Sequence, residues 1–121
     1  MNLQDDKKRT IDLLNDIKLR KKIFKKDKPY IIQKITEIYD EDIKILDLDI
    51  ESKEKNLIIG AYQLKGEKDL LLSCKIKRDK TIDEKTNIIK KITEIYDKNI
   101  DHLESKEKFY QRNLDYLKEL S

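Results

Sequence analysis

Residues that interrupt regular structure are scarce in this chain of 121 residues. It contains two glycines, Gly60 and Gly66, one proline, Pro29, and no tryptophan. Glycine and proline are the strongest breakers of helices and strands, so most of the chain is expected to lie in regular elements. Periodic Ile and Leu in a chain that is 37% hydrophobic predict one folded domain, residues 1–121, rather than a disordered segment.

Residues that usually carry chemistry are equally few. The only cysteine is Cys74, which cannot form an intramolecular disulfide or a zinc knuckle by itself, so nothing indicates an oxidising compartment. The only histidine is His102, and we interpret it as an exposed helix residue. Gly-rich phosphate loops, H-E-x-x-H and G-x-S-x-G are absent. We therefore expect no enzyme, no metal site and no cofactor.

Long apolar runs are also missing. The N-terminal stretch MNLQDDKKRTIDLL has no apolar segment of signal-peptide length, and no segment approaches the roughly 20 apolar residues that span a bilayer. The sequence therefore predicts a cytoplasmic protein without a membrane partner.

Helical spacing marks the first third of the chain. Apolar residues at three- and four-residue steps predict a basic helix from Gln4 to Lys26, within an N-terminal region that covers residues 1–28. Pro29 suits the first turn of a second helix that ends near Asp40, because a missing N–H costs nothing there.

A two-residue period then predicts three strands. Ile43 to Glu51, Leu57 to Lys65 and Leu70 to Lys77 alternate or are rich in β-branched residues, and polar turns separate them. Asp47, Asp49 and Glu51 would form a solvent-facing acidic row on the first strand.

Helical spacing returns in the last third. Thr81 and Glu84 have capping-box spacing, and no Gly or Pro follows before Leu120. The predicted class is α+β: a helix–meander–helix core over 29–97, built on a three-stranded antiparallel meander, with a long C-terminal helix whose extension covers 98–121. The alternative is an all-α bundle, since 44% charged residues with little Gly and Pro suit helices equally well.

One segment is duplicated almost perfectly. IIQKITEIYD from Ile31 and IIKKITEIYD from Ile88 lie 57 residues apart and differ only at Gln33 and Lys90. Two copies fall short of the three or so repeats that solenoids need. We interpret them as a copied amphipathic helix, or as two equivalent surfaces for a partner.

Positive charge is concentrated early in the chain, although the net charge is only +3. Seven basic residues and one Asp lie between Lys18 and Lys28. Such density suits phosphate contacts, DNA or RNA, with little sequence preference. The predicted nucleic-acid-binding residues are Lys18, Arg20, Lys21, Lys22, Lys25, Lys26, Lys75, Lys77 and Arg78.

A protein-binding role is the second functional hypothesis. The chain would then be a small regulator, inhibitor or adaptor that acts through its helices. If the C-terminal helix is unbroken, a small sheet cannot cover it, so Tyr110, Leu114 and Leu117 would be exposed together. We expect them to form the interface of a homodimer.

The stretch NLIIGAYQLKGEKDLLLSCKIKRDK, in an order of helix, three strands and helix, resembles the core of the restriction-endonuclease-like nucleases. That family places an Asp on one strand and Glu-x-Lys or Gln-x-Lys on the next to bind magnesium. Here Asn56 and Ser73 stand at the carboxylate positions and only Lys75 matches. The resemblance therefore implies a nuclease-like fold without nuclease activity.

Overall fold

The computed structural model of the chain describes residues 2–58 and 65–120, and it consists of two α-helices. Helix α1 spans Leu3–Ile58 and helix α2 spans Lys65–Glu119. No strand occurs in these two ranges. The protein is an all-α helical hairpin, so the α+β prediction is wrong and the all-helical alternative gives the class, although with two helices instead of a bundle.

Local chemistry accounts for where the helices begin and end. Asn2 caps α1, because its side-chain oxygen accepts a hydrogen bond of 3.0 Å from the Gln4 N–H, which satisfies one of the unpaired amides of a first turn. Asp5 and Asp6 lie in the first turn of α1 and Glu67 in that of α2, whereas Lys55 and Lys118 lie in the last turns. These side-chain charges are opposite in sign to the partial charges of the helix ends, so they stabilise the helices.

The helices pack antiparallel in two compact units. Unit 1 contains Met1–Ile31 and Ile92–Ser121, and unit 2 contains Ile32–Lys91. Among the described residues, the buried apolar side chains of unit 1 are Leu14, Ile17, Leu103 and Leu114, and that of unit 2 is Ile50. None of the described side chains is fully buried. The core of each unit is therefore a single row of side chains between the two helices.

Buried and half-buried positions recur every three or four residues along both helices, and we call this row the seam. In unit 1 the seam comprises Leu14, Ile17, Lys21, Phe24 and Lys28 of α1 with Tyr96, Ile100, Leu103, Glu107, Tyr110, Leu114 and Leu117 of α2. In unit 2 it comprises Ile35, Tyr39, Ile43, Leu46 and Ile50 of α1 with Leu71, Cys74, Arg78, Thr81, Lys85 and Ile88 of α2. This average spacing is that of a coiled coil.

The first predicted strand, Ile43 to Glu51, is part of α1. Ile43, Leu46 and Ile50 lie in the seam, while Ile45 and Leu48 are 59% and 56% exposed. Two apolar rows on different sides of one helix together imitate the alternation of a strand, which is why the two-residue period is misleading here.

The other two predicted strands fail for a similar reason. Leu70 to Lys77 lies in α2. Cys74 is half-buried there, but Leu70, Leu72 and Ile76, which the alternation of a strand would place on the same face, are exposed. Of the strand predicted for Leu57 to Lys65, residues 59–64 lie outside the described residues, and its ends belong to α1 and α2. Without strands the nuclease-like core is not present in the described residues, and Asn56 lies on α1 whereas Ser73 and Lys75 lie on α2.

Two predicted helix starts lie inside helices. Pro29 is within α1 and exposed, and its nitrogen cannot donate the helical hydrogen bond to the carbonyl of Lys25. Thr81 is within α2, where its hydroxyl donates a 2.8 Å hydrogen bond to the carbonyl of Lys77 instead of capping. Neither helix breaks between residues 28 and 29 or 97 and 98, where the sequence suggested boundaries.

Neither described helix contains a stretch long and apolar enough to cross a membrane.

Candidate interaction surfaces

A charged pair lies in the seam of unit 1. The Nζ atom of Lys21 is 2.6 Å from Oε2 of Glu107, and the two side chains are only 22% and 25% exposed. The hydrogen bond from Lys21 lowers the pKa of Glu107, and the same bond raises the pKa of Lys21. A polar pair at seam positions favours the alignment of the two helices that keeps it together, because a half-buried charge without its partner is costly.

Further ion pairs join the two helices in each unit. In unit 1, Lys25 pairs with Glu104 at 3.6 Å and Lys28 with Asp97 at 2.6 Å. In unit 2, Lys75 pairs with Glu54 at 3.2 Å, Arg78 with Asp47 at 3.5 Å and Lys85 with Asp40 at 2.5 Å. Exposed pairs of this kind contribute little free energy each, but together they restrict which residues of the two helices face each other.

The duplicated decamer explains two of these pairs. Asp40 ends the first copy and Asp97 ends the second, and Lys28 and Lys85 precede them at the same offset of 57 residues. In unit 1 the lysine comes from α1 and the aspartate from α2, whereas in unit 2 the roles of the helices are exchanged. Such an exchange of partners is what two equivalent helices produce when they pair isologously.

The two copies also share a deviation from coiled-coil spacing. In unit 2, the seam residues Ile35, Tyr39 and Ile43 follow each other at two four-residue steps. In unit 1, the half-buried Ile92 and the seam residues Tyr96 and Ile100 repeat this spacing. An inserted four-residue step locally unwinds a left-handed supercoil. The duplication therefore conserves a packing feature within the hairpin, which agrees with the copied-helix interpretation.

The predicted nucleic-acid-binding residues are divided between structural and exposed roles. Four of them make ion pairs between the helices: Lys21, Lys25, Lys75 and Arg78. Arg20 instead pairs within α1, with Asp16 one turn earlier at 3.1 Å. The remaining members are exposed: Lys18, Lys22, Lys26 and Lys77. Lys18, Lys22 and Lys26 follow each other at one-turn steps on α1 of unit 1, while Lys77 belongs to unit 2.

The predicted dimer interface lies in the seam. Leu114 is only 6% exposed, and Tyr110 and Leu117 are half-buried. The expectation of an uncovered C-terminal helix assumed a small sheet as its only neighbour. The N-terminal portion of α1, which contains the buried Leu14 and Ile17, covers this stretch instead.

An outer apolar row lies on α2 of unit 1, and sequence reasoning missed it. Ile95, Phe109 and Tyr116 are 58%, 52% and 62% exposed, and the exposed His102 stands between them. These four residues are seven positions apart, so they share one side of a helix in a coiled coil. Their spacing was available in the sequence, but it becomes recognisable only when the seam beside it is known.

The remaining candidates have ordinary partners. Asp47 pairs with Arg78, Asp49 with Lys53 at 2.7 Å and Glu51 with Lys55 at 3.4 Å. The thiol of Cys74 donates to Asp49 at 3.4 Å, and hydrogen bonds from Lys53 first and Cys74 second lower the pKa of Asp49. No cluster of three or more potential metal ligands occurs in residues 2–58 and 65–120.

No protein-family model, no curated protein and no solved structure matches this chain.

Proposed function

We propose that this protein is a non-enzymatic protein-interaction module that binds helical partners on the outer apolar rows of its hairpin. The supporting observation is the balance of its apolar residues. Among the described residues, only five apolar side chains are buried, whereas sixteen large ones are exposed. Scattered apolar residues are normal on a surface, but rows at seven-residue intervals have the pattern by which helices pack on helices.

The most regular row is the outer apolar row of unit 1, formed by Ile95, His102, Phe109 and Tyr116. Aromatic side chains such as Phe109 and Tyr116 supply large contact areas at a low entropic cost. A partner helix that presents apolar residues every three or four positions would bury them in the way that α1 buries the seam residues of α2.

Photo-crosslinking in native cells tests this role. A photoreactive phenylalanine analogue replaces Phe109 in one variant and Asp115 in a control variant, since Asp115 is exposed on the same helix but does not belong to the row. We expect protease-sensitive adducts mainly from position 109. If position 109 captures no more protein than position 115, the proposed role is wrong.

A second candidate, phosphate binding by nucleic-acid contacts, is favoured by the exposed ridge of Lys18, Lys22 and Lys26. Three cations on successive turns suit backbone contacts with little sequence preference. Fluorescence anisotropy with short DNA and RNA duplexes at about 50 and 200 mM salt measures such binding. Replacing the three lysines by glutamine should abolish it, while the same change at Lys90, Lys91 and Lys98 should not. No binding at the lower salt concentration removes this candidate.

A further inference from the structure

The outer apolar row of unit 1 has a counterpart on α1. Ile23 and Tyr30 are also seven residues apart and are 48% and 57% exposed. Ile23 directly precedes the seam residue Phe24, and Tyr30 directly precedes the half-buried Ile31. The residues of the row on α2 precede seam positions in the same way: Tyr96, Leu103, Tyr110 and Leu117.

This shared offset places the two rows on one side of unit 1. In an antiparallel helix pair, equivalent positions of the two helices lie on the same side of the seam. One surface, which we call the unit 1 face, therefore contains the apolar residues of both rows: Ile23, Tyr30, Ile95, Phe109 and Tyr116. In unit 2, the residues of α2 that directly precede seam positions are Leu70, Ser73, Lys77, Lys80, Glu84 and Asn87. Only Leu70 is apolar, so an apolar row at seven-residue steps on α2 is a feature of unit 1.

This two-helix chain exposes more surface than a compact protein of the same mass. The chain exposes 9373 Å², whereas a compact monomer of 14.6 kDa exposes about 6,900 Å². The surplus is roughly 2,500 Å², about three times the 800 Å² that each partner contributes to a standard interface. A stable dimer therefore needs only some of the surface that this chain leaves open.

The charges beside the unit 1 face are also unevenly distributed between the helices. We call the charged residues that flank the face on each helix its margin on that helix. The margin on α2 comprises Lys98, Lys106 and Arg112 with one acid, Glu119, so it is mainly basic. The margin on α1 carries Asp6, Asp12, Asp16 and Asp27 with Arg9, Arg20 and Lys26, and is slightly acidic. A second copy whose α1 lies on α2 of the first brings unlike margins together in both halves of a two-fold interface.

From the shared face, the surplus of surface and these margins, we infer that the occupant of the unit 1 face is a second copy of this chain, so that two hairpins form a four-helix assembly. This inference rests on the proposed protein-binding role and names its partner. An isologous dimer requires only one surface, presented identically by both copies, and α1 and α2 both contribute apolar residues to it.

Sedimentation velocity on the full chain tests the inference. We expect the wild-type chain at tens of micromolar to sediment as a dimer, at twice its mass of 14.6 kDa. The variant Phe109→Glu with Tyr116→Glu places two carboxylates in the unit 1 face and should sediment as a monomer. Circular dichroism at 222 nm should stay at the wild-type value, because neither side chain is buried.

The matched control is Leu72→Glu with Ile76→Glu, which changes two apolar residues of α2 in unit 2 that are 57% and 47% exposed. This variant should remain dimeric. A monomeric wild type at 100 μM, or a dimer that tolerates the substitutions at 109 and 116 but not those at 72 and 76, overturns the inference. If the wild type is monomeric while position 109 still crosslinks to another protein, the proposed role holds and only the identity of the partner is wrong.

Discussion

Lys28 of α1 donates a hydrogen bond of 2.6 Å to Asp97 of α2, and both residues have duplicates 57 positions away that also pair, as Lys85 with Asp40. The chain thus contains the same contact twice, once in each unit, with the helices exchanged. The duplicated sequence therefore forms an equivalent ion pair within each unit.

Charge exchange tests this equivalence. Asp97→Lys places two lysines together and should lower the free energy of unfolding, and adding Lys28→Asp should restore most of the loss. The coupling energy from a double-mutant cycle should be about 0.5 kcal/mol, because both side chains are partly exposed. The cycle on Asp40 and Lys85 is the matched comparison and should give a similar value. Coupling in only one of the two cycles contradicts the equivalence. Urea unfolding followed at 222 nm measures each free energy.

The polar pair of the seam predicts a dependence on pH. The pKa of Glu107 is lower in the folded chain than its ordinary value of 4.5. The carboxylate therefore stabilises the fold above about pH 4.5, and this contribution is lost as the pH falls through the folded pKa.

The variant Glu107→Gln isolates this contribution. It should be less stable than the wild type at pH 7, by about 1 kcal/mol, and the difference should shrink below about pH 4.5. Urea unfolding of both proteins between pH 2 and 7 measures it. A difference that stays constant across this range shows that the charge of Glu107 has no role.

The core of unit 1 predicts a large effect from one truncation. Leu114 is 6% exposed, so Leu114→Ala should cost about 2–3 kcal/mol by loss of burial and by the cavity that remains. Leu19→Ala is the control, since Leu19 is 57% exposed and its truncation should change stability by less than about 0.5 kcal/mol. Equal effects at both positions would mean that Leu114 is not covered by α1.

The proline inside α1 predicts a stabilising substitution. Pro29 is exposed in the helix interior, so Pro29→Ala restores a backbone hydrogen bond and should raise the free energy of unfolding by about 1–3 kcal/mol. Asn15→Ala, at another exposed position of α1, should contribute only a few tenths of a kcal/mol by helix propensity. A loss of stability at position 29 would indicate that the helix starts there, as the sequence suggests. Thermal unfolding by circular dichroism compares the two variants.

Some features of the hairpin are evident from the sequence. The scarcity of Gly and Pro predicts regular elements, and the three/four spacing from Gln4 to Lys26 and from Thr81 to Leu120 predicts helices, which the structure contains within α1 and α2. These predictions depend on local properties, namely backbone freedom and the periodicity of apolar side chains, so they need no knowledge of the neighbour.

Tertiary structure decided the rest. Segments 43–51 and 70–77 carry apolar residues on two sides of a helix, and only packing against the other helix determines which row becomes the seam. The roles of Lys21 and Leu114 depend on Glu107 and on the N-terminal portion of α1, which lie far away in the sequence. Composition and spacing by themselves determined that the chain is regular and largely helical at both ends. The antiparallel pairing determined which charges are used, which leucines are covered and which apolar row remains exposed, because burial depends on residues that meet only in the fold.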